Sequence, residues 1–274
     1  MKNIKKVLAV VLALVFTLAF CTACGGSSEG DADKTIKVAA TPAPHAEILY
    51  EIQDALAADG WTLEVVEFED YVLPNEAVTS GECDANYFQH QPYLDQYNEE
   101  NGTDIANAAA IHYEPLGVYK AQKDSFDALE EGDKVGVPND VTNEARALQL
   151  LAANGVITLK EGVGLEATPL DIVDNPKNIE IYEAEAATLP ASLPDLALAV
   201  INGNYAIGGG LTADDAIAFE AADSEAATTF ANVIACAAGN ENSDKVQALV
   251  KALQTDEVKA FIEEKYQGSV QVSF

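Results

Sequence analysis

The chain has 274 residues, with 15 Lys and Arg against 45 Asp and Glu and a formal charge of −30. So acidic a polypeptide excludes the ordinary modes of nucleic-acid binding and adhesion to anionic membranes, both of which need a basic face. The four cysteines match no disulfide framework, and the three histidines form no His-rich tract.

The N-terminus carries Lys2, Lys5 and Lys6, then an apolar run over residues 7–20, then small residues ending in Cys24-Gly25-Gly26. That order is a signal peptide, expected to span residues 1–23. The run is too short and ends too abruptly for an ordinary membrane span. Thr22-Ala23-Cys24-Gly25 looks like a bacterial lipobox, although Cys21 stands where leucine is usual. Cleavage before Cys24 and lipidation of Cys24 are therefore expected, with the protein held on the outer face of the cell membrane through the lipid alone. Residues 24–34 read as a flexible tether, since they contain nothing apolar larger than Ala32. Removal of the leader takes three lysines and no acids, leaving 12 basic against 45 acidic side chains, or −33. The remaining cysteines, Cys83 and Cys236, are expected to be unpaired thiols.

The region after the tether is long enough for one large or two ordinary globular units. Residues 35–41 read as a strand, Pro42 and Pro44 as a loop, and residues 45–60 as one amphipathic helix with Ile48, Ile52, Ala55 and Leu56 on its apolar stripe and Gly60 at its end. Residues 61–68 alternate as a strand does, and residues 71–81 pass from loop into helix. Residues 135–137 are a short strand, 138–140 a turn, and 142–154 a helix with a polar start. Residues 180–183 and 196–201 are strands with a short helix at 189–193 between them; residues 230–235 are another strand, and 243–266 one or two closing helices. Strand and helix alternating in this way predict an α/β unit with a largely parallel sheet. Two extended apolar segments, residues 115–119 and 230–235, bracket a block with its own strands and helices. If both cross between lobes, residues 35–116 and 232–274 make a discontinuous first lobe and residues 117–231 the second.

No nucleophile elbow, phosphate-binding glycine loop or zinc-protease helix motif occurs. Gly208-Gly209-Gly210 lacks fingerprint spacing and reads as a turn. A metal site built from His45, His90 and His112 is the alternative chemistry, but His45 sits at a helix start, where backbone groups are its expected partners. Two features stand out. Tyr71, Phe88, His90 and Tyr93 form an aromatic set, with Phe88 and His90 pointing the same way in extended backbone; it suits an uncharged ligand side chain or an ordinary core patch. Arg146 is the sole arginine of the chain, in the first turns of the helix after Pro138, where its fork and free backbone N–H groups together suit a carboxylate.

Residues 70–77 (DYVLPNEA), 84–94 (DANYFQHQPYL), 137–143 with Arg146 (VPNDVTN), 189–193 (LPASL) and 199–206 (AVINGNYA) together resemble the methionine-binding lipoproteins of ABC importers, in order from about Lys34 to the C-terminus. The resemblance implies a two-lobed periplasmic-binding-protein-like fold of the second class with two crossover hinge strands, a ligand held between the lobes, no enzymatic activity and no cofactor. Carried over by position, Tyr71, Phe88, His90 and Tyr93 surround the thioether; Arg146, helped by Asn143, holds the carboxylate; and Asn202 and Asn232 accept from the ammonium or bridge to the carboxylate. Val141 stands where the family often has proline, and Glu144 adds a negative charge near Arg146. The implied partners are L-methionine and a membrane permease, with the protein a monomer; D-methionine, a methionyl dipeptide or another hydrophobic amino acid are the alternative ligands.

Overall fold

The computed structural model describes residues 34–220 and 228–274. The leader, Cys24 and all of the tether except Lys34 lie outside the described residues. Two mixed sheets organise the chain. The first combines β1 (Thr35–Ala40), β2 (Thr62–Glu67), β3 (Ala85–His90), β4 (Ile105–Tyr113), β12 (Ala231–Ala237) and β13 (Gln271–Val272) in the order β13-β4-β12-β3-β1-β2. The second contains β5 (Gly117–Lys120), β6 (Lys134–Pro138), β9 (Glu180–Ala184), β10 (Leu198–Ile201) and β11 (Ala216–Phe219) in the order β11-β5-β10-β6-β9. A small antiparallel pair, β7 (Thr158–Leu159) with β8 (Ile172–Asp174), stands apart.

Apolar side chains on both faces of each sheet give each lobe three layers. In the first lobe, Ile36, Val38 and Ala40 of β1 face α1 (Glu47–Glu51) and α2 (Gln53–Ala58), together with α8 (Asp244–Leu253) and α9 (Asp256–Tyr266), through Ile48, Leu49, Leu56, Leu249 and Ile262. The intervening Ala39 faces the opposite layer, where α3 (Leu73–Thr79) and α4 (Gln91–Asn101) supply Val78, Leu94 and Tyr97. In the second lobe, Val135, Val137, Leu198 and Val200 pack on α5 (Val141–Ala153) through Ala145, Leu148 and Leu151. Its other face, with Ala199 and Ile201, meets Leu189 of α6 (Leu189–Ser192) and Ala206 of α7 (Gly203–Gly208). Period-2 alternation therefore reads through to burial in both sheets.

The chain leaves the first sheet after Tyr113 and enters the second at Gly117; it leaves the second after Phe219 and re-enters the first at Ala231. The segments expected to cross, residues 115–119 and 230–235, hold these passages at their leading ends and then run on as β5 and β12, each within one sheet. The passages meet where the Glu220 N–H donates to the Leu116 carbonyl at 2.8 Å.

The expected continuous helix over residues 45–60 is corrected. A kinked segment over Pro42–Ala46, with Ala43 extended at φ −122° and ψ 140°, precedes α1, and Ile52, at φ −91° and ψ 0°, separates α1 from α2. Pro44 has no N–H to give to the first turn, and the break leaves Ile52 buried at 2 % exposure. Cys83 and Cys236 are buried free thiols. No helix among the described residues is long and apolar enough to cross a membrane.

Candidate functional site

A cavity lies between the lobes, lined by Tyr71, Phe88, His90, Tyr93, Asn143, Arg146, Asn202 and Asn232, and also by Gln89, Glu114, Gly203 and Asn204. All eight residues singled out from the sequence thus face one space. They arrive from separate elements: Phe88 and His90 from the end of β3, Tyr93 from the first turn of α4, Asn143 and Arg146 from the start of α5, Asn202 from the end of β10, Asn232 from β12, and Tyr71 from the loop before α3.

One end is aromatic. Tyr71 lies 5.8 Å from the Phe88 ring and 5.7 Å from that of Tyr93, centroid to centroid, and stacks on Tyr205 at 4.9 Å. The Tyr93 hydroxyl donates to the Tyr71 carbonyl at 3.0 Å. Burial holds the Tyr71 phenol far above its usual range, so it stays a donor; that donor goes across the cleft to Asn204 Oδ1 at 2.6 Å. The Tyr205 hydroxyl returns the link, donating to the Glu69 carbonyl at 3.1 Å.

The other end is polar and organised by Asn143. Its Oδ1 is within 3.1 Å of His90 Nε2, 3.2 Å of Arg146 Nη1 and 2.9 Å of Asn202 Nδ2, while its own Nδ2 donates to the helix-capping Asp140 at 2.8 Å. Asn143 is therefore a hub that positions donors, with its hydrogen-bonding capacity already used within the protein. His90 caps α4, its Nδ1 accepting from the Tyr93 N–H at 3.2 Å, so Nε2 carries the proton given to Asn143. Burial, followed by the charge of Arg146, lowers its pKa to about 3, and the ring is neutral. Asn202 Oδ1 is buried and accepts from no described residue. It is an acceptor aimed at the cavity region and wants a donor.

Arg146, 3 % exposed, has a partner that the sequence did not disclose. Its Nε and Nη2 donate to the two oxygens of Glu220 at 3.1 and 2.6 Å, and the guanidinium lies 3.9 Å from the centre of the Phe230 ring. Glu220 also accepts from the Tyr113 hydroxyl at 2.8 Å, tying together the two passages between the lobes. Arg146 is thus a cation already matched by an anion, with Nη1 donating to Asn143 Oδ1 at 3.2 Å. Glu144, expected near Arg146, turns away from the cavity and shares a hydrogen bond with Glu183 on β9; burial, then that neighbour, lifts its pKa to about 7.

Glu114, which follows β4, was missed. It is 7 % exposed, and its Oε1 lies 2.7 Å from His112 Nε2 and 3.4 Å from His45 Nε2. The expectation that His45 meets backbone groups is corrected: its Nδ1 pairs with Thr41 Oγ1 at 2.7 Å and its Nε2 with Asn232 Oδ1 at 3.1 Å. The three-histidine metal set is corrected as well. His45 and His112 do meet, together with Glu114, their ligand atoms all within 4.8 Å, but His90 belongs to the Asn143 hub with both ring nitrogens engaged. The signals for Glu114 and Glu220 were faint: an acid before a proline in the run Ile111-His112-Tyr113, and an acid closing Ile217-Ala218-Phe219.

These features define a two-lobed binding protein of mixed α/β architecture with its site in the cleft. The sequence profile of the NlpA lipoproteins matches residues 36–274, and the chain belongs to that family. Among relatives, the D-methionine-binding lipoprotein MetQ of Salmonella typhimurium is 43 % identical over 258 residues, covering 92 % of each chain. The methionine-binding lipoprotein MetQ of Bacillus subtilis is 41 % identical over 274 residues, covering 97 % of this chain and 98 % of its own length. The structure of a nutrient-binding protein from Burkholderia cenocepacia bound to methionine superposes with a TM-score of 0.83 at 45 % identity, covering 87 % of this chain and all of that one.

Proposed function

We propose that the protein binds methionine between its lobes and delivers it, without chemical turnover, to the permease of an ABC importer. The observation that carries the reading is the polarity of one small cavity. Three aromatic rings stand at one end; at the other, a guanidinium, a buried carboxylate and an amide oxygen without a donor stand together. A zwitterionic head fits the polar end, and a polarizable thioether packs well on aromatic rings. The names of the relatives support the same ligand.

In this reading Phe88, Tyr71 and Tyr93 hold the side chain, with the edge of His90 beside them. Arg146 Nη1 and the Asn232 amide donate to the carboxylate; Glu114 and Asn202 Oδ1 accept from the ammonium. The lobes are residues 35–116 with 232–274, and residues 117–231, hinged at residues 115–119 and 230–235. Lipidation at Cys24 tethers a monomeric carrier to the outer face of the membrane. Calorimetric titration with L-methionine, D-methionine, norleucine and a methionyl dipeptide tests the ligand. Saturable binding of one methionine per chain, with norleucine weaker, is expected; absence of binding by every one of these ligands sinks the reading.

A further inference from the structure

We propose that His112 and His45, neither of which lines the cavity, are positioning residues for the ligand: His112 holds the Glu114 carboxylate as a pure acceptor for the amino group and His45 orients the Asn232 amide beside it, each ring locked by a hydroxyl behind it. The proposal deepens the reading above and rests on it for the identity of the ligand, while the state of the two imidazoles is open to test without ligand.

The protons can be followed one by one. Tyr87 is fully buried, and among the described residues the partner of its hydroxyl is His112 Nδ1. A buried hydroxyl with one partner keeps its hydrogen satisfied only by donating to it. His112 Nδ1 therefore carries the lone pair and Nε2 the hydrogen, which is given to Glu114 Oε1 at 2.7 Å. His45 is arranged the same way: Thr41 Oγ1 donates to Nδ1 at 2.7 Å, and Nε2–H is directed at Asn232 Oδ1 at 3.1 Å, with Glu114 Oε1 next at 3.4 Å. Burial lowers His45 to about 4 and His112 to about 3, so both rings are neutral donors near neutral pH.

Glu114 consequently stands among donors that carry no charge. It also accepts from the Asn204 backbone N–H. Gly203 is what lets the chain come so near, since a Cβ there would lie 2.7 Å from Glu114 Oε2 and 2.8 Å from Glu114 Cβ. Arg146, whose charge acts on Glu114, has two of its nitrogens on Glu220. Burial pushes the Glu114 carboxyl upward, toward the protonated form that would compete with an ammonium, while His45, the Asn204 backbone N–H and the charge of Arg146 oppose this. The result is a carboxyl held in place beside the cavity, and a primary ammonium would favour its ionised form.

The same three side chains have the spacing of a metal cluster. Tyr87 and Thr41, as donors to Nδ1, put hydrogens rather than lone pairs on the two Nε2 atoms, that of His112 bonded to Glu114 and that of His45 to Asn232. Hydrogen-bond accounting thus favours a proton-bearing clamp over a cation site.

The test has two arms. Long-range ¹H–¹⁵N spectra of the ligand-free protein, simplified by there being three histidines in the chain, should show His45 and His112 as Nε2–H tautomers near pH 7; an Nδ1–H form or an imidazolium at either ring overturns the proposal whatever the ligand is. In the second arm, methionine and 4-(methylthio)butanoate, which lacks the amino group, are titrated against three variants. His112→Leu should bind methionine about 10–100-fold more weakly, the loss expected for one hydrogen bond to a charged group, and bind the deaminated acid as the parent does. His112→Gln, which keeps an N–H near the Nε2 position, should recover most of that loss. Tyr87→Phe, the mildest change, should release the tautomer lock and weaken methionine alone by a few-fold. Equal weakening of both ligands in all three variants would mark a structural role and overturn the proposal. A parent that ignores methionine while its imidazoles are Nε2–H would instead sink the ligand assignment and leave the clamp established.

Discussion

The cavity holds two buried charges that the fold treats in opposite ways. Arg146 is matched inside the protein: Glu220 takes two of its nitrogens at 2.6 and 3.1 Å. Glu114 is surrounded by donors and has no cation dedicated to it. The difference teaches where selectivity lies. A charge with a partner at hand can orient a ligand, but a charge still wanting one discriminates, because leaving it unpaired in a desolvated site is expensive.

That contrast can be broken most directly at Glu114. Glu114→Gln keeps the shape and removes the charge, and should cost about 3–5 kcal/mol of methionine binding by calorimetry. A loss under tenfold would mean that the ammonium is read elsewhere. Arg146→Ala comes next, with an expected cost of about 2–3 kcal/mol from the lost charge-assisted hydrogen bonds, together with a lower melting temperature, because Glu220 keeps the Tyr113 hydroxyl but loses its cation. Methionine amide separates the two sites: having an ammonium but no carboxylate, it should suffer from Glu114→Gln as methionine does and be nearly indifferent to Arg146→Ala. The reverse order would exchange the roles of the two charges.

The aromatic end should respond more weakly. Phe88→Ala removes apolar contact and no charge, for an expected loss of about 1.5 kcal/mol, and norleucine should lose about as much as methionine in the titration.

The smallest effect is a control on position. Glu144 is two residues from Arg146 but faces Glu183, and burial followed by that contact lifts its pKa to about 7. The folded chain therefore holds a proton that the unfolded chain has lost between about pH 4.5 and 7, so this group's contribution to stability falls as pH rises through that window. Glu144→Gln should add about 1 kcal/mol at pH 8 in urea unfolding, with the gain disappearing below about pH 4.5 and methionine affinity unchanged. A change in affinity would place Glu144 in the site after all.

Local sequence carried a large part of this layout. Tyr71, Phe88, His90 and Tyr93 fall within two short segments, and strand alternation fixes which of them share a face. Asp140 as the cap of α5, with its side chain accepting from the Asn143 N–H at 3.1 Å, sets Asn143 and Arg146 on the first turns by helix geometry alone. The resemblance supplied Asn202 and Asn232, which no periodicity would have singled out.

What the sequence determined by itself was the alternation of strand and helix along much of the chain, though not α4, β4 or β11, and the aromatic and cationic residues that mark the cleft, because these depend on spacings of a few residues. Only the tertiary structure decided which of 45 acids matter. Glu220 meets Arg146 across 74 positions, and Glu114 has beside it His45, from the segment that follows β1. Tautomers, too, are properties of a packed neighbourhood. A hydroxyl chooses the nitrogen to which it donates only when burial leaves it no water to choose instead.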